Sequence, residues 1–110
     1  MCGISGIIST SSIGLKDEGL KMLDAISHRG PDAEGFQIAN SHKGVIWFGH
    51  KRLSIQDLSA AGNQPLEYDG LLLIYNGEIY NFKELRSELA EFGYTFETGT
   101  DTEVLLKGFH

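Results

Sequence analysis

The 110-residue chain has a single cysteine, no cluster of basic residues and no long apolar run. One cysteine cannot form an internal disulfide, which fits a reducing compartment. The net charge is −6, and Lys51-Arg52 is its only pair of adjacent basic residues, so nucleic acid and anionic membranes are not expected as partners. The first residues lack the basic region and the apolar length of a signal peptide or a membrane span. We therefore expect a cytoplasmic protein.

The sequence also lacks internal repeats, low-complexity tracts and an evident linker. It has no Gly-Lys-Ser/Thr phosphate loop and no Ser-Gly-Gly-x-Asp pyrophosphate loop, so nothing in it predicts ATP binding. A chain of this length forms one domain or part of one, and buries about 65% of its unfolded surface. We expect a single structural unit without a cofactor.

Apolar periodicity and turn residues predict an α+β fold dominated by antiparallel strands, with helices on the outside. The predicted strands are 4–9, 36–38 paired with 45–48, 53–55, 66–68 paired with 71–75, and 94–96. The predicted helices are 15–27, 81–92 ending at Gly93, and one that starts near Thr100. Asn81 with Glu84 resembles a capping box, and Thr100 with Glu103 repeats that pattern. Because 71–75 is apolar throughout, we expect it inside the fold, with the amino-terminal strand beside it.

Cys2 stands directly after Met1. Removal of Met1 would leave a thiol and a free α-amine on one residue. An α-amine with a pKa of about 7.7–8.0 can take up the thiol proton near neutral pH, which makes the sulfur a nucleophile with its own base. The alternative is that Cys2 is a small buried apolar residue without a chemical role.

Three further positions suggest a pocket around such a nucleophile. Asn76-Gly77 follows the strand 71–75 and offers a side-chain amide and an unhindered backbone N–H to an oxyanion, although Asn-Gly is also a common turn. The Arg52 guanidinium suits a carboxylate, and Asp101, at a helix start, suits an ammonium group. Each charge alone is more typical of a surface residue or a cap, but together they describe a pocket for a free α-amino acid.

Six short motifs in this order resemble those of class II glutamine amidotransferases, which are N-terminal-nucleophile hydrolases. The similarity is greatest to the asparagine synthetase branch. The motifs are Met1-Cys2-Gly3-Ile4, Arg29-Gly30-Pro31-Asp32, His50-Lys51-Arg52-Leu53-Ser54-Ile55, Gln64-Pro65, Asn76-Gly77-Glu78-Ile79-Tyr80-Asn81 and Thr100-Asp101-Thr102-Glu103.

The resemblance implies that residues 1–110 are the N-terminal portion of a type 2 glutamine amidotransferase domain, a truncated αββα sandwich of antiparallel sheets without its synthetase domain. It implies that Cys2 attacks the glutamine carboxamide, while the Asn76 side chain and the Gly77 N–H form the oxyanion hole. It further implies a set of glutamine-binding residues, with Arg52 on the α-carboxylate, Asp101 and Glu78 on the α-amino group, and main-chain groups of Leu53 and Gln56 lining the pocket. Residues 29–32 are expected to be structural or gating.

The implied reaction converts glutamine to glutamate and ammonia through a Cys2 thioester, with ammonia passed to an asparagine synthetase-like domain. ATP and magnesium are expected only for that missing domain. An amidotransferase with a different ammonia acceptor is an open alternative, and so is homo-oligomer formation. A further alternative is an inactive piece that folds or associates without catalysis, because a retained Met1 would turn the Cys2 amine into an amide.

Two other roles for the cysteine have less support in the sequence. A protease-like pair of Cys2 with His28 or His50 requires a histidine within hydrogen-bond reach, and no matching signature surrounds the cysteine. A metal site from Cys2 and the histidines at 28, 42 and 50 lacks the closely spaced ligand pair that zinc sites use.

Overall fold

The computed structural model describes residues 1–55 and 57–110. Its elements in chain order are β1 (Gly3–Ser9), α1 (Leu15–Ala25), β2 (Ala33–Ser41), β3 (Gly44–Arg52), β4 (Leu66–Tyr68), β5 (Leu71–Leu73), α2 (Phe82–Glu91) and α3 (Asp101–Phe109), with 3₁₀ turns at Ser27–Arg29 and Ala60–Gly62. The architecture is α+β with antiparallel sheets, as the sequence predicts. No helix in the described ranges has the length and apolarity needed to cross a bilayer.

The larger sheet has three antiparallel strands in the order β1-β3-β2. Ile7 pairs with Trp47, and Trp47 pairs with Ile38 on its other side. Side chains alternate across the sheet, so these three point to one face, where α1 packs. Leu15 and Leu23 of α1 are buried against Trp47, which is fully buried. This face of the sheet holds the apolar core.

The expected place of the amino-terminal strand was wrong. β1 lies at the edge of the larger sheet and pairs with β3, whereas β5 pairs with β4 in a separate two-stranded sheet. The tight turn at Asp69-Gly70, with φ of 46° and 77°, closes the β4–β5 hairpin locally. Local closure costs less chain entropy than pairing with a strand more than 60 positions away, and an apolar run does not specify its neighbour.

Two predicted strands, 53–55 and 94–96, do not form. Cys2 and Asp32 engage the backbone of 53–54, as described below. In the second segment, the Tyr94 N–H closes α2 by donating to the Leu89 carbonyl, and the Thr95 carbonyl accepts from the Lys107 ammonium group. Both segments therefore use their polar backbone groups outside a strand ladder.

The two later helices begin differently. The Asn81 side chain makes no capping bond, so the capping box predicted there is not formed. Thr100 Oγ1 does accept the N–H of Glu103 at 3.4 Å, which caps α3 as expected. The Glu103 carboxylate reaches the backbone N–H groups of Glu97 and Thr98 and pairs with Lys107 at 2.7 Å. This buried network fixes the segment before α3 to the helix.

Candidate active site

The molecule has two halves: the larger sheet with α1, and the β4–β5 hairpin with α2 and α3. A cavity of about 410 Å³ is lined by residues of both halves. It receives residues from the start of β1, the end of β3, the loop after β5 and the start of α3. Seven of the predicted site residues line the cavity, namely Cys2, Arg52, Leu53, Asn76, Gly77, Glu78 and Asp101. The eighth, Gln56, lies outside the described residues.

The Cys2 thiol is held by the backbone of Leu53, which directly follows β3, the strand that pairs with β1. The Leu53 N–H donates to Sγ at 3.3 Å, and the thiol lies 3.6 Å from the Leu53 carbonyl oxygen, to which it donates. Cys2 is half-buried, so part of its surface faces the cavity. The backbone of residue 53 therefore fixes where the sulfur sits.

The Arg29-Gly30-Pro31-Asp32 motif supports the segment that holds the thiol. Asp32 Oδ2 accepts the Ser54 N–H at 2.7 Å, and the Asp32 N–H donates to the Arg52 carbonyl at 3.0 Å. A Cβ at Gly30 would lie 2.4 Å from the Lys51 carbonyl carbon, so only glycine allows this approach. These contacts give the motif a structural role at the end of β3.

Arg52 is buried, with 6% of its surface exposed, and its guanidinium already holds the loop that follows. Nη1 donates to the Ser59 carbonyl at 2.6 Å and to Asn63 Oδ1 at 2.8 Å, and Nη2 donates to the Asp57 carbonyl. These bonds use three of the five guanidinium donors. The other two donors have no bond among the described residues, and Arg52 lines the cavity.

The loop 76–78 is exposed at the cavity and is tied to α3 through Asp101. Asp101 is 5% exposed and its Oδ2 accepts the Ile79 N–H at 2.9 Å. A Cβ at Gly77 would lie 2.8 Å from Tyr75 Oη. Burial raises the pKa of Tyr75, and the charges of Asp101 and Glu78 raise it further. This side of the cavity is therefore negative, which suits an ammonium group.

Two buried residues in the cavity wall were not among the predicted site residues. His50 is 1% exposed, and its Nε2 has no hydrogen-bond partner among the described residues. Burial lowers the pKa of His50; a backbone hydrogen bond with Tyr75 opposes this, and the nearby Arg52 adds to it. Gln64 bonds both the Tyr75 backbone and Thr102. Both residues belong to motifs noted in the sequence, His50–Ile55 and Gln64-Pro65, but neither motif predicts a role for the side chain.

Within the described part of the chain, Cys2 Sγ makes no hydrogen bond to a histidine; its partners are the N–H and the carbonyl of Leu53. His28 and Arg29 line a smaller cavity of about 280 Å³, which shares Cys2 and Asn76 with the larger one. Within residues 1–55 and 57–110, no group of three or more His, Cys, Asp or Glu side chains is arranged to hold a metal ion.

A glutamine amidotransferase domain model matches residues 1–110. The chain belongs to this family. Glutamine-hydrolyzing asparagine synthetases 1 and 3 of Bacillus subtilis are 44% and 38% identical to the amidotransferase chain over 96% and 99% of its length. Amidase chry2 of Gibberella zeae is 36% identical over 96% of it. The chain spans only 17%, 18% and 17% of these relatives, respectively.

Proposed function

We propose that the chain supplies a glutaminase site that converts glutamine to glutamate and ammonia with Cys2 as nucleophile. The observation that most supports this is the shared cavity, which brings the thiol, the Asn76-Gly77 pair, Arg52 and Asp101 together. Near-contact geometry between a nucleophile, oxyanion donors and substrate-holding charges is the requirement for such chemistry. Membership of the amidotransferase family supports the same reaction.

In the proposed binding mode, the other two donors of Arg52 hold the α-carboxylate of glutamine, and Asp101 with Glu78 holds its α-ammonium group. These charges lie in different walls of the cavity, so the amino acid spans it with its carboxamide toward Cys2. Leu53, which lines the cavity, completes the proposed pocket, whereas the contribution predicted for Gln56 lies outside the described residues. Binding both ends of the α-amino acid would leave the carboxamide as the part free to react.

In the proposed reaction, removal of Met1 frees the Cys2 α-amine, which takes the thiol proton. The sulfur attacks the carboxamide carbon, and the oxygen that becomes negative is bound by the Asn76 side-chain amide and the Gly77 N–H. The amine proton passes to the departing nitrogen, which leaves as ammonia, and a thioester remains. Water then attacks the thioester carbon, the S–C bond breaks, the thiol regains a proton, and glutamate is released.

We further propose that the two sheets are part of an αββα sandwich of the N-terminal-nucleophile hydrolase type. The face of the larger sheet opposite Trp47 carries Ile4 and Ile8, which are 46% and 74% exposed. An apolar sheet face of this kind is what a second sheet covers in a sandwich. The face that α1 covers would then be the outer one.

The proposed cellular role is to supply ammonia to a synthetase domain that forms asparagine, with ATP and magnesium used by that domain alone. The names of the Bacillus subtilis relatives support this acceptor. The second candidate is a different ammonia acceptor, since the name of the Gibberella zeae relative, amidase chry2, does not mention asparagine synthesis. Cytoplasmic localisation is part of the same proposal.

Intact mass after incubation with diazo-oxo-norleucine, a glutamine-like electrophile, tests the site. We expect one adduct on the protein that lacks Met1, protection by glutamine, and no adduct on Cys2→Ala. Asn76→Ala should lower the glutaminase rate about 10²–10³-fold, as loss of one oxyanion donor does. Asn40→Ala, at an exposed position on β2, is the matched control and should keep the wild-type rate. A Met1-free protein that neither reacts with the electrophile nor forms glutamate would refute the proposal in favour of an inactive piece.

A further inference from the structure

Gln64 connects three parts of the fold, although the proposed reaction gives it no task. It lies between the 3₁₀ turn Ala60–Gly62 and β4, and it is 8% exposed in the cavity wall. A Cβ at Gly35 would lie 2.3 Å from its carbonyl oxygen, so the Gln64 main chain packs directly on β2. The main chain is thereby fixed to the larger sheet, while the side chain extends toward the other half of the molecule.

The Gln64 carboxamide bonds a residue next to each of two segments that line the cavity, the loop after β5 and the start of α3. Its Oε1 accepts the Tyr75 N–H at 2.6 Å, and its Nε2 donates to Thr102 Oγ1 at 3.2 Å. Tyr75 directly precedes Asn76, and Thr102 directly follows Asp101. The Gln64 carboxamide therefore sets the distance between the loop 76–78, which carries the proposed oxyanion donors, and the start of α3.

Both bonds restrain groups that regular structure leaves free. β5 ends at Leu73, so the Tyr75 N–H lies beyond the strand ladder and its described partner is Gln64. Thr102 is 5% exposed, so its hydroxyl requires a partner inside the protein. A carboxamide offers an acceptor and a donor together, whereas a carboxylate lacks the donor and an apolar side chain lacks both.

We infer that Gln64 is a positioning residue for the glutaminase reaction, which holds the Asn76-Gly77 oxyanion donors in register with Asp101. The inference rests on the proposed function, because it assigns a reason for the geometry of that site. A misplacement of about 1 Å in such a site costs about 10²-fold in rate, so loss of the link should reduce turnover without removing any group that touches glutamine.

The test compares Gln64→Leu with Thr102→Val and with the matched control Gln37→Leu, all in the Met1-free protein. Gln64→Leu removes both bonds and should lower kcat for glutamine about 10- to 100-fold, with a higher KM. Thr102→Val removes only the bond to α3, so KM should rise while kcat stays within about threefold. Gln37 Nε2 donates to Glu67 Oε2 at 3.0 Å at the surface, so Gln37→Leu makes the same chemical change there and should leave both constants unchanged.

Amide hydrogen exchange, followed by NMR below the unfolding transition, separates this inference from the proposed function. The Tyr75 amide should lose protection in Gln64→Leu and keep it in Thr102→Val and Gln37→Leu. If the parent protein hydrolyses glutamine while Gln64→Leu keeps its kcat, its KM and its Tyr75 protection, the positioning role is wrong and the function stands. If the parent protein is inactive although the Tyr75 amide loses its exchange protection in Gln64→Leu, the proposed function is wrong and the structural link stands. Should Gln64→Leu fail to fold, a Thr102→Val protein with unchanged KM would overturn the inference.

Discussion

Arg52→Lys should destabilise the protein strongly even though the positive charge is kept. The guanidinium is buried and donates to three acceptors on one loop, namely the carbonyls of Asp57 and Ser59 and the side chain of Asn63. These acceptors are spread around a planar fork. A lysine ammonium is a point donor on a flexible stem and cannot reach all three together.

The size of the loss follows from the bonds that are broken. A hydrogen bond to a charged group contributes about 1.5–3 kcal/mol. If lysine at position 52 keeps one of the three bonds and water replaces part of the others, the net loss is about 2–4 kcal/mol. For a domain of this size, about 1 kcal/mol lowers Tm by about 4 °C, so Tm should fall by about 8–16 °C.

Thermal and urea unfolding, followed by circular dichroism, measure this loss. Lys21→Met is the control, because Lys21 pairs with Glu18 at 3.9 Å with both side chains mostly exposed, at 77% and 69%, and such surface pairs contribute at most about 1 kcal/mol. An Arg52→Lys protein that melts within about 2 °C of the wild type, or no lower than the control, would refute the reasoning. It would mean that the loop does not depend on the guanidinium.

Three further predictions concern the same region. Gly62→Ala should cost about 1–3 kcal/mol in urea unfolding, because its Cβ would lie 2.4 Å from Arg52 Nη2, whereas Gly99→Ala, with its nearest atom at 3.7 Å, should cost less than about 1 kcal/mol. The Gly99 N–H, with help from Ser59, lowers the pKa of Asp57 from 3.8 to about 2, so this carboxylate stabilises the fold above about pH 4 and stops doing so as the pH falls toward 2. Asp57→Asn should therefore lose less stability than wild type between pH 4 and 2 in the same assay. Burial lowers the pKa of His50, so the unfolded state binds more protons below about pH 6.5 and stability falls there; His50→Gln should reduce that fall, and equal slopes would contradict it.

Local signals in the sequence were sufficient for most elements, and they selected seven residues that line one cavity. The Asp69-Gly70 turn predicts the β4–β5 hairpin because those residues tolerate positive φ. Gly93, with φ of 97°, ends α2 as predicted, since its N–H and that of Tyr94 satisfy the last carbonyls of the helix. The motifs of the family brought Cys2 and Asp101 into one hypothesis, and both line the cavity.

The contacts that set the geometry of the site were beyond such signals. Leu53 bonds the Cys2 thiol across 51 positions of sequence, and Gln64 bonds Thr102 across 38. Neither distance leaves a periodic pattern, because hydrogen bonds between loops depend on how the sheets and helices pack. The edge position of β1 has the same origin, since alternation specifies the buried face of a strand and leaves its neighbour open.

The two sides of the cavity therefore differ in what holds them. The thiol and Arg52 belong to the larger sheet, whose core around Trp47 is apolar and closely packed. The loop 76–78 and Asp101 belong to the other half, which the Gln64 hydrogen bonds join to that sheet. Loss of apolar contacts at Trp47 would destabilise the sheet and the segment that carries Cys2 together, because core truncations cost about 3–5 kcal/mol. Loss of a hydrogen bond that leaves a buried partner unpaired costs about 1–3 kcal/mol and can also shift one wall against the other. It follows that substitutions between the halves should reduce turnover well before they reduce stability, whereas substitutions within the core should do the reverse.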